Sequence, residues 1–85
     1  MTKSSEIINS RIHVQGLVQG VGFRPFIYRL AKRFDLSGWV ENSNNGVFIR
    51  VEGKYESIDQ FIIAIEKEAP LASNVISVKD RKSVV

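Results

Sequence analysis

The sequence predicts an α+β domain in which two helices cover one face of an antiparallel sheet. Two kinds of periodicity carry that expectation. Apolar residues alternate with polar ones at Ile8, Ile12 and Val14 and again at Val47, Ile49 and Val51, the period of half-buried strands. Between and beyond these runs, Phe23, Phe26, Ile27, Leu30, Ala31 and Phe34, and later Ile58, Phe61, Ile62 and Ile65, recur at helical spacing.

Taken in order, a first strand spans residues 8–14 with Arg11, His13 and Gln15 on its polar side. A loop from Gly16 to Gly22 leads into the first helix, where Pro25 sits in the tolerated first turn. Arg29, Lys32 and Arg33 lie opposite its apolar stripe, as a solvated face or a docking surface for another domain. Asp35–Leu36–Ser37–Gly38 ends the helix, and Trp39–Val40–Glu41–Asn42 opens a second strand. Ser43–Asn44–Asn45–Gly46 then reads as a turn, with Asn45–Gly46 as a favoured reversal pair into the third strand. Gly53–Lys54 is expected to be a short connection, and the second helix ends before Pro70. Ile76 and Val78 flank Ser77 in a weaker fourth strand. The order β-α-β-β-α-β is the ferredoxin-like split β-α-β arrangement. That architecture serves enzymes, metal carriers and RNA binders alike, so the site must decide the function.

Eighty-five residues suffice for one domain, expected over residues 8–85 behind a flexible N-terminus of residues 1–7. The 44% hydrophobic and 25% charged content is that of an ordinary globular chain. With no cysteine and one histidine, disulfides, thiolate metal sites and a cysteine nucleophile are excluded, and a zinc site is hard to assemble. No metal or cofactor is expected. The net charge of +3 is uneven: residues 1–34 carry six basic and one acidic side chain, residues 35–85 six and eight. The positive field therefore surrounds the first loop and helix, and would attract small anions. No nucleic-acid partner is expected, since no long Lys/Arg run exists and Phe48 is the one evident stacking residue on a central strand. No membrane partner is expected either, as no stretch approaches the ~18 apolar residues of a span. Met1–Asn9 lacks the apolar core of a secretory signal, which leaves the cytoplasm as the default.

The segment Val18–Gln19–Gly20–Val21–Gly22–Phe23–Arg24–Pro25–Phe26 is where chemistry concentrates. Glycines let successive backbone N–H groups point into one concavity, and a helix start adds unpaired N–H donors and a positive dipole end. Arg24 contributes a permanently charged fork that can grip two phosphate oxygens. A tight structural turn would explain the glycines but not the arginine. The glycine order fits neither the dinucleotide fingerprint nor the Walker pattern. Asn42, at the end of the second strand, can come near this loop; its carboxamide can orient a water but cannot act as a strong base, and it could equally be a plain turn residue. Positioning and charge stabilisation suffice for phosphoryl transfer when the leaving group is good, which points to a mixed anhydride. Trp39 either packs on the sheet or borders this site, while His13 reads as a structural or exposed residue.

Gly16–Leu17–Val18–Gln19–Gly20–Val21–Gly22–Phe23–Arg24, with Gly38–Trp39–Val40–Glu41–Asn42–Ser43 and Gly46 downstream, closely resembles the two acylphosphatase signatures. The resemblance covers roughly residues 8–81. It implies that Gln19, Gly20, Val21, Gly22, Phe23 and Arg24 hold a phosphate, and that Arg24 and Asn42 are catalytic, the latter positioning the attacking water. Arg24–Pro25–Phe26–Ile27–Tyr28–Arg29–Leu30–Ala31 and Ala69–Pro70–Leu71–Ala72 look more like the N-terminal acylphosphatase-like domain of the hydrogenase maturation carbamoyltransferases, HypF. That likeness implies metal-independent hydrolysis of carbamoyl phosphate, with downstream carbamoyltransferase domains and a hydrogenase maturation partner protein. A non-hydrolytic phosphate-binding or channelling module and a free-standing acylphosphatase are the alternatives. The family usually continues into a fifth short strand, which is expected to be missing in a chain ending at Val85.

Overall fold

The computed structural model describes residues 6–17, 22–44, 46–69 and 74–84. Its elements are β1 (Ile7–Leu17), α1 (Phe23–Arg33), β2 (Ser37–Ser43), β3 (Gly46–Lys54), α2 (Tyr55–Glu68) and β4 (Asn74–Val84), the expected order. The strands form one antiparallel sheet in the order β2-β3-β1-β4, so β1 and β3 are central. Both helices lie on one face.

The central ladder sets that face. Ser10 pairs with Val51, Ile12 with Ile49 and Val14 with Val47, and the apolar members are at most 2% exposed. Phe26, Ile27 and Leu30 of α1 and Ile58, Phe61 and Ile65 of α2 close over them. Because side chains alternate along a strand, Arg11, His13, Phe48 and Arg50 are turned to the uncovered side.

The helix ends follow local chemistry. At the exit of α1, Leu36 N–H donates to the Ala31 carbonyl at 2.8 Å and Asp35 N–H to that of Lys32 at 3.2 Å. This Schellman pair needs a left-handed residue, and Asp35 supplies it at φ 56°. Leu36 then drops into the core beside Ala31. Helix α2 stops at Ala69, whose ψ of 144° is the extended backbone expected ahead of Pro70.

Several boundaries differ from the sequence expectation. Strand β2 begins at Ser37, before Trp39, because Ser37 and Gly38 already pair with Glu52 and Val51. Gly46 does not stand inside the reversal: it pairs with Ser43 and opens β3. Gly53 and Lys54 extend β3 rather than connecting it, and α2 starts at the next residue. Strand β4 runs well beyond Val78, to Val84. Its inward side is polar there, which hid the alternation. Lys82 bridges Asp59 of α2 at 3.3 Å and also pairs with Asp80. Burial lowers the Lys82 pKa, but the hydrogen bonds to Asp80 and Asp59 outweigh it and the net shift is upward. Of the basic face on α1, Arg33 bridges Glu68 of α2 at 2.8 Å, while Arg29 and Lys32 are exposed. The hydrogen bond between Arg33 and Glu68 raises the arginine's pKa and lowers that of the glutamate. Both groups are too exposed for the pair to matter much to stability.

Two positions make the packing testable. A Cβ on Gly38 would overlap the Arg50 carbonyl of the neighbouring strand, and its φ of +153° is itself awkward for other residues. Gly38→Ala is expected to cost about 3 kcal/mol, read as a lower urea midpoint with an unchanged m-value. Ser10 is wholly buried, and its Oγ has no hydrogen-bond partner among the described residues. Removing an unpaired buried hydroxyl relieves its desolvation cost, so Ser10→Ala should raise stability by about 1 kcal/mol in the same titration.

Candidate functional site

The site sits where β1 gives way to α1. In β1, the register against β4 shifts between Gln15 and Gly16, a bulge at the point where the strand leaves the sheet. Gln19, Gly20 and Val21 lie outside the described residues. The chain re-enters at Gly22, the N-cap of α1, with φ 78° and ψ 15°. No side chain crowds the place where its Cβ would stand, so the backbone angle requires glycine there rather than any lack of space.

From Gly22 onward the helix start is built to leave donors open. No side chain caps it, and its first turn holds no acid. Phe26 N–H reaches back to the Gly22 carbonyl at 3.2 Å. Pro25 has no N–H to satisfy, which leaves the amides of Phe23 and Arg24 as the first-turn donors. Phe23 is 1% exposed and tilts against Phe26 at a centroid distance of 5.5 Å. Its ring therefore belongs to the core, and only its amide can face a ligand. Burying Phe23 turns the next residue outward. Arg24 is exposed and, among the described residues, makes no ion pair or side-chain hydrogen bond. A surface salt bridge does not account for it.

Asn42 reaches the same end of the sheet through the strand register. It pairs with Val47, and Val47 pairs with Val14 of β1. The row Asn42–Val47–Val14 lies on the helix-covered face, and Asn42 stands two strands from β1, roughly 10 Å at normal strand spacing. It is exposed, beyond the cover of the helices, with no side-chain hydrogen bond among the described residues. On the opposite face of this corner, His13 Nε2 and Ser43 Oγ lie 3.3 Å apart in a hydrogen bond that spans β3. The sequence placed His13 on the polar side but offered no sign of this partner, because the contact joins strands that are not neighbours.

An uncapped helix start and an arginine, with a carboxamide at the same end of the sheet two strands from β1, suit an oxyanion and a water better than an apolar ligand. The acylphosphatase family model matches residues 10–83. The chain belongs to the acylphosphatase family. It is 49% identical over 74 residues to the acylphosphatase of Bacillus licheniformis, covering 86% of this chain and 81% of that one. It is also 51% identical over 65 residues to a probable carbamoyltransferase HypF of Methanocaldococcus jannaschii, covering 76% of this chain and 8% of that protein. Among solved structures, full-length HypF in its phosphate- and nucleotide-bound form superposes with a TM-score of 0.89 at 35% identity. That match covers all of this chain and 11% of the other. The Bacillus subtilis acylphosphatase gives 0.83 at 38% identity, over 89% and 84% of the two chains. This acylphosphatase domain thus spans 8% to 10% of the first carbamoyltransferases it matches, and most of the length of the single-domain enzymes.

Proposed function

We propose that this domain hydrolyses acyl phosphates without a metal, and that its substrate is carbamoyl phosphate. The observation that carries the reading is the row Asn42–Val47–Val14. It sets an exposed carboxamide on the face and at the end of the sheet where β1 leads toward the open start of α1 and Arg24.

In this scheme Arg24 and the amides of Gly22 and Phe23 grip the phosphoryl oxygens, with Gln19, Gly20 and Val21 completing the cradle. The Asn42 carboxamide orients a water opposite the leaving group. The water oxygen bonds to phosphorus while the bond from phosphorus to the acyl oxygen breaks. Carboxylate or carbamate departs with the electron pair, and the water protons stay on the phosphate until solvent takes the surplus. No strong base is required, since the leaving group is already a stable anion. Arg24 earns its catalytic effect by opposing charge that builds as that bond breaks.

Carbamoyl phosphate is favoured over a generic acyl phosphate by the likeness to HypF carbamoyltransferases. On this reading the domain forms the front of a larger carbamoyltransferase in the cytoplasm. It would release carbamate to downstream domains that serve nickel–iron hydrogenase maturation with a partner protein. The small share of those relatives that it spans also favours a second reading, a module that binds phosphate and passes substrate on without turnover.

Hydrolysis assays on carbamoyl phosphate and acetyl phosphate separate these readings. Arg24→Ala and Asn42→Ala should each lower kcat/KM about 100-fold. Both side chains are exposed, so the urea midpoint should stay within about 0.5 kcal/mol of wild type. Near wild-type turnover in Asn42→Ala would sink the mechanism. Inorganic phosphate at about 100 times its Kd should stabilise the wild type by about 2.7 kcal/mol and leave Arg24→Ala unmoved. Phosphate stabilisation without turnover of either substrate would select the binding module.

A further inference from the structure

The uncovered face of the sheet carries a second chemistry, on the opposite side of the sheet from the phosphate corner. Strand register aligns Trp39, Arg50, Arg11 and Arg81 in one row across β2, β3, β1 and β4. The next row places Phe48 beside His13, with Lys79 beyond it on β4. The Phe48 and His13 rings stack at 4.2 Å with 17° between their planes, and the Arg50 guanidinium lies 4.8 Å over the Trp39 ring. Trp39 and Phe48 are each about half exposed, at 49% and 47%. Together they line a shallow groove of about 420 Å³.

Nothing in the fold explains this arrangement. Like charges directly opposite one another on neighbouring strands are destabilising, and Arg50, Arg11 and Arg81 are three in succession. Among the described residues, none of these arginines nor Lys79 makes an ion pair. Among the described residues, Glu41 and Asp80 are the acids that line the groove, and Glu52, on the same face as Glu41, accepts a hydrogen bond from Asn9 at 3.2 Å.

We infer that this open face binds single-stranded nucleic acid, whose bases extend the stack on Phe48 and Trp39 while its phosphates meet the arginine row. Cations alone would suit any polyanion. Exposed ring faces on β3 and β2, interleaved with those cations, single out a polyanion that carries planar bases. A second copy of the chain would oppose arginine to arginine. The sequence argued against nucleic acid because Phe48 stood alone as a stacking residue; the register gives it His13 as a partner and aligns the arginines. This inference does not rest on the acyl phosphate reading, and the two sites lie on opposite faces.

The test is fluorescence anisotropy on the full chain with end-labelled oligo(U) and oligo(dT) of about ten nucleotides. Saturable binding is expected, with log K falling against log salt at a slope of about −2 to −3 for four cations. Phe48→Ala should weaken binding roughly 5- to 100-fold. Arg11→Gln and Arg81→Gln should each flatten the salt slope by about 0.7. Unchanged acyl phosphate hydrolysis in these variants, with a urea midpoint no lower than wild type in the two arginine variants, verifies the fold independently. The inference is overturned by absence of saturable binding at low salt or by Phe48→Ala binding as tightly as wild type. It also fails if a duplex binds as tightly as the single strand, or if polyglutamate displaces the oligonucleotide as well as unlabelled oligo(U) does. That last result would assign the face to an acidic protein partner.

Discussion

The β1–β3 ladder is the constraint on which the rest of this molecule depends. It fixes which side chains of the two central strands meet the helices and which meet solvent. Pairing Ile12 with Ile49 and Val14 with Val47 turns these four aliphatic residues toward α1 and α2 and leaves Phe48 on the other face. A slip of one residue would exchange those positions for Arg11, His13, Phe48 and Arg50, and no core could form from that set. The hydrophobic pattern therefore enforces the register. The register in turn delivers two things the core does not need: the placement of Asn42 in the Val14 row, and the arginine row on the far face.

The helix start shows the same coupling on a smaller scale. Phe23 and Arg24 are consecutive, and successive residues in a helix differ by about 100° in direction. Anchoring Phe23 among Phe26, Ile27 and Leu30 thus fixes where Arg24 emerges without any contact to Arg24 itself. The far end of α1 is held by its Schellman pair and by Leu36, so the helix is restrained at both termini. A charged side chain mounted on such an element keeps its position with little further ordering on binding an anion.

How much of this could be read from the sequence depended on whether a signal was local. The stripe of α1 and the alternation in β1 and β3 are strong because each element buries one face completely, and both emerged as expected. The motif residues Arg24 and Asn42 were legible through glycine placement and the family likeness. Features set by pairing were not. Gly46 looked like half of a reversal pair, yet its place opposite Ser43 follows from strand register, which adjacent residues do not encode. Strand β4 looked short because Asp80 and Lys82 occupy its inward side, and the second partner of Lys82, Asp59, lies on α2, far away in sequence. Likewise Arg11, Arg50 and Arg81 are scattered over seventy positions, and only the sheet shows them side by side.

A domain of this kind matches most of the length of some relatives and a small part of much longer ones, and the difference cannot reside in the core. The same ladder and helix stripes match a single-domain acylphosphatase over 81% of its length and a carbamoyltransferase over 8% of its own. Whatever distinguishes the two settings must lie on surfaces the fold leaves free. One such surface is the outer face of the sheet, which the helices leave uncovered. There, arginines without an ion-pair partner among the described residues oppose one another at a cost in stability that the core must offset. A patch that destabilises the domain, yet is aligned by its most rigid element, is best understood as a surface shaped by something it binds.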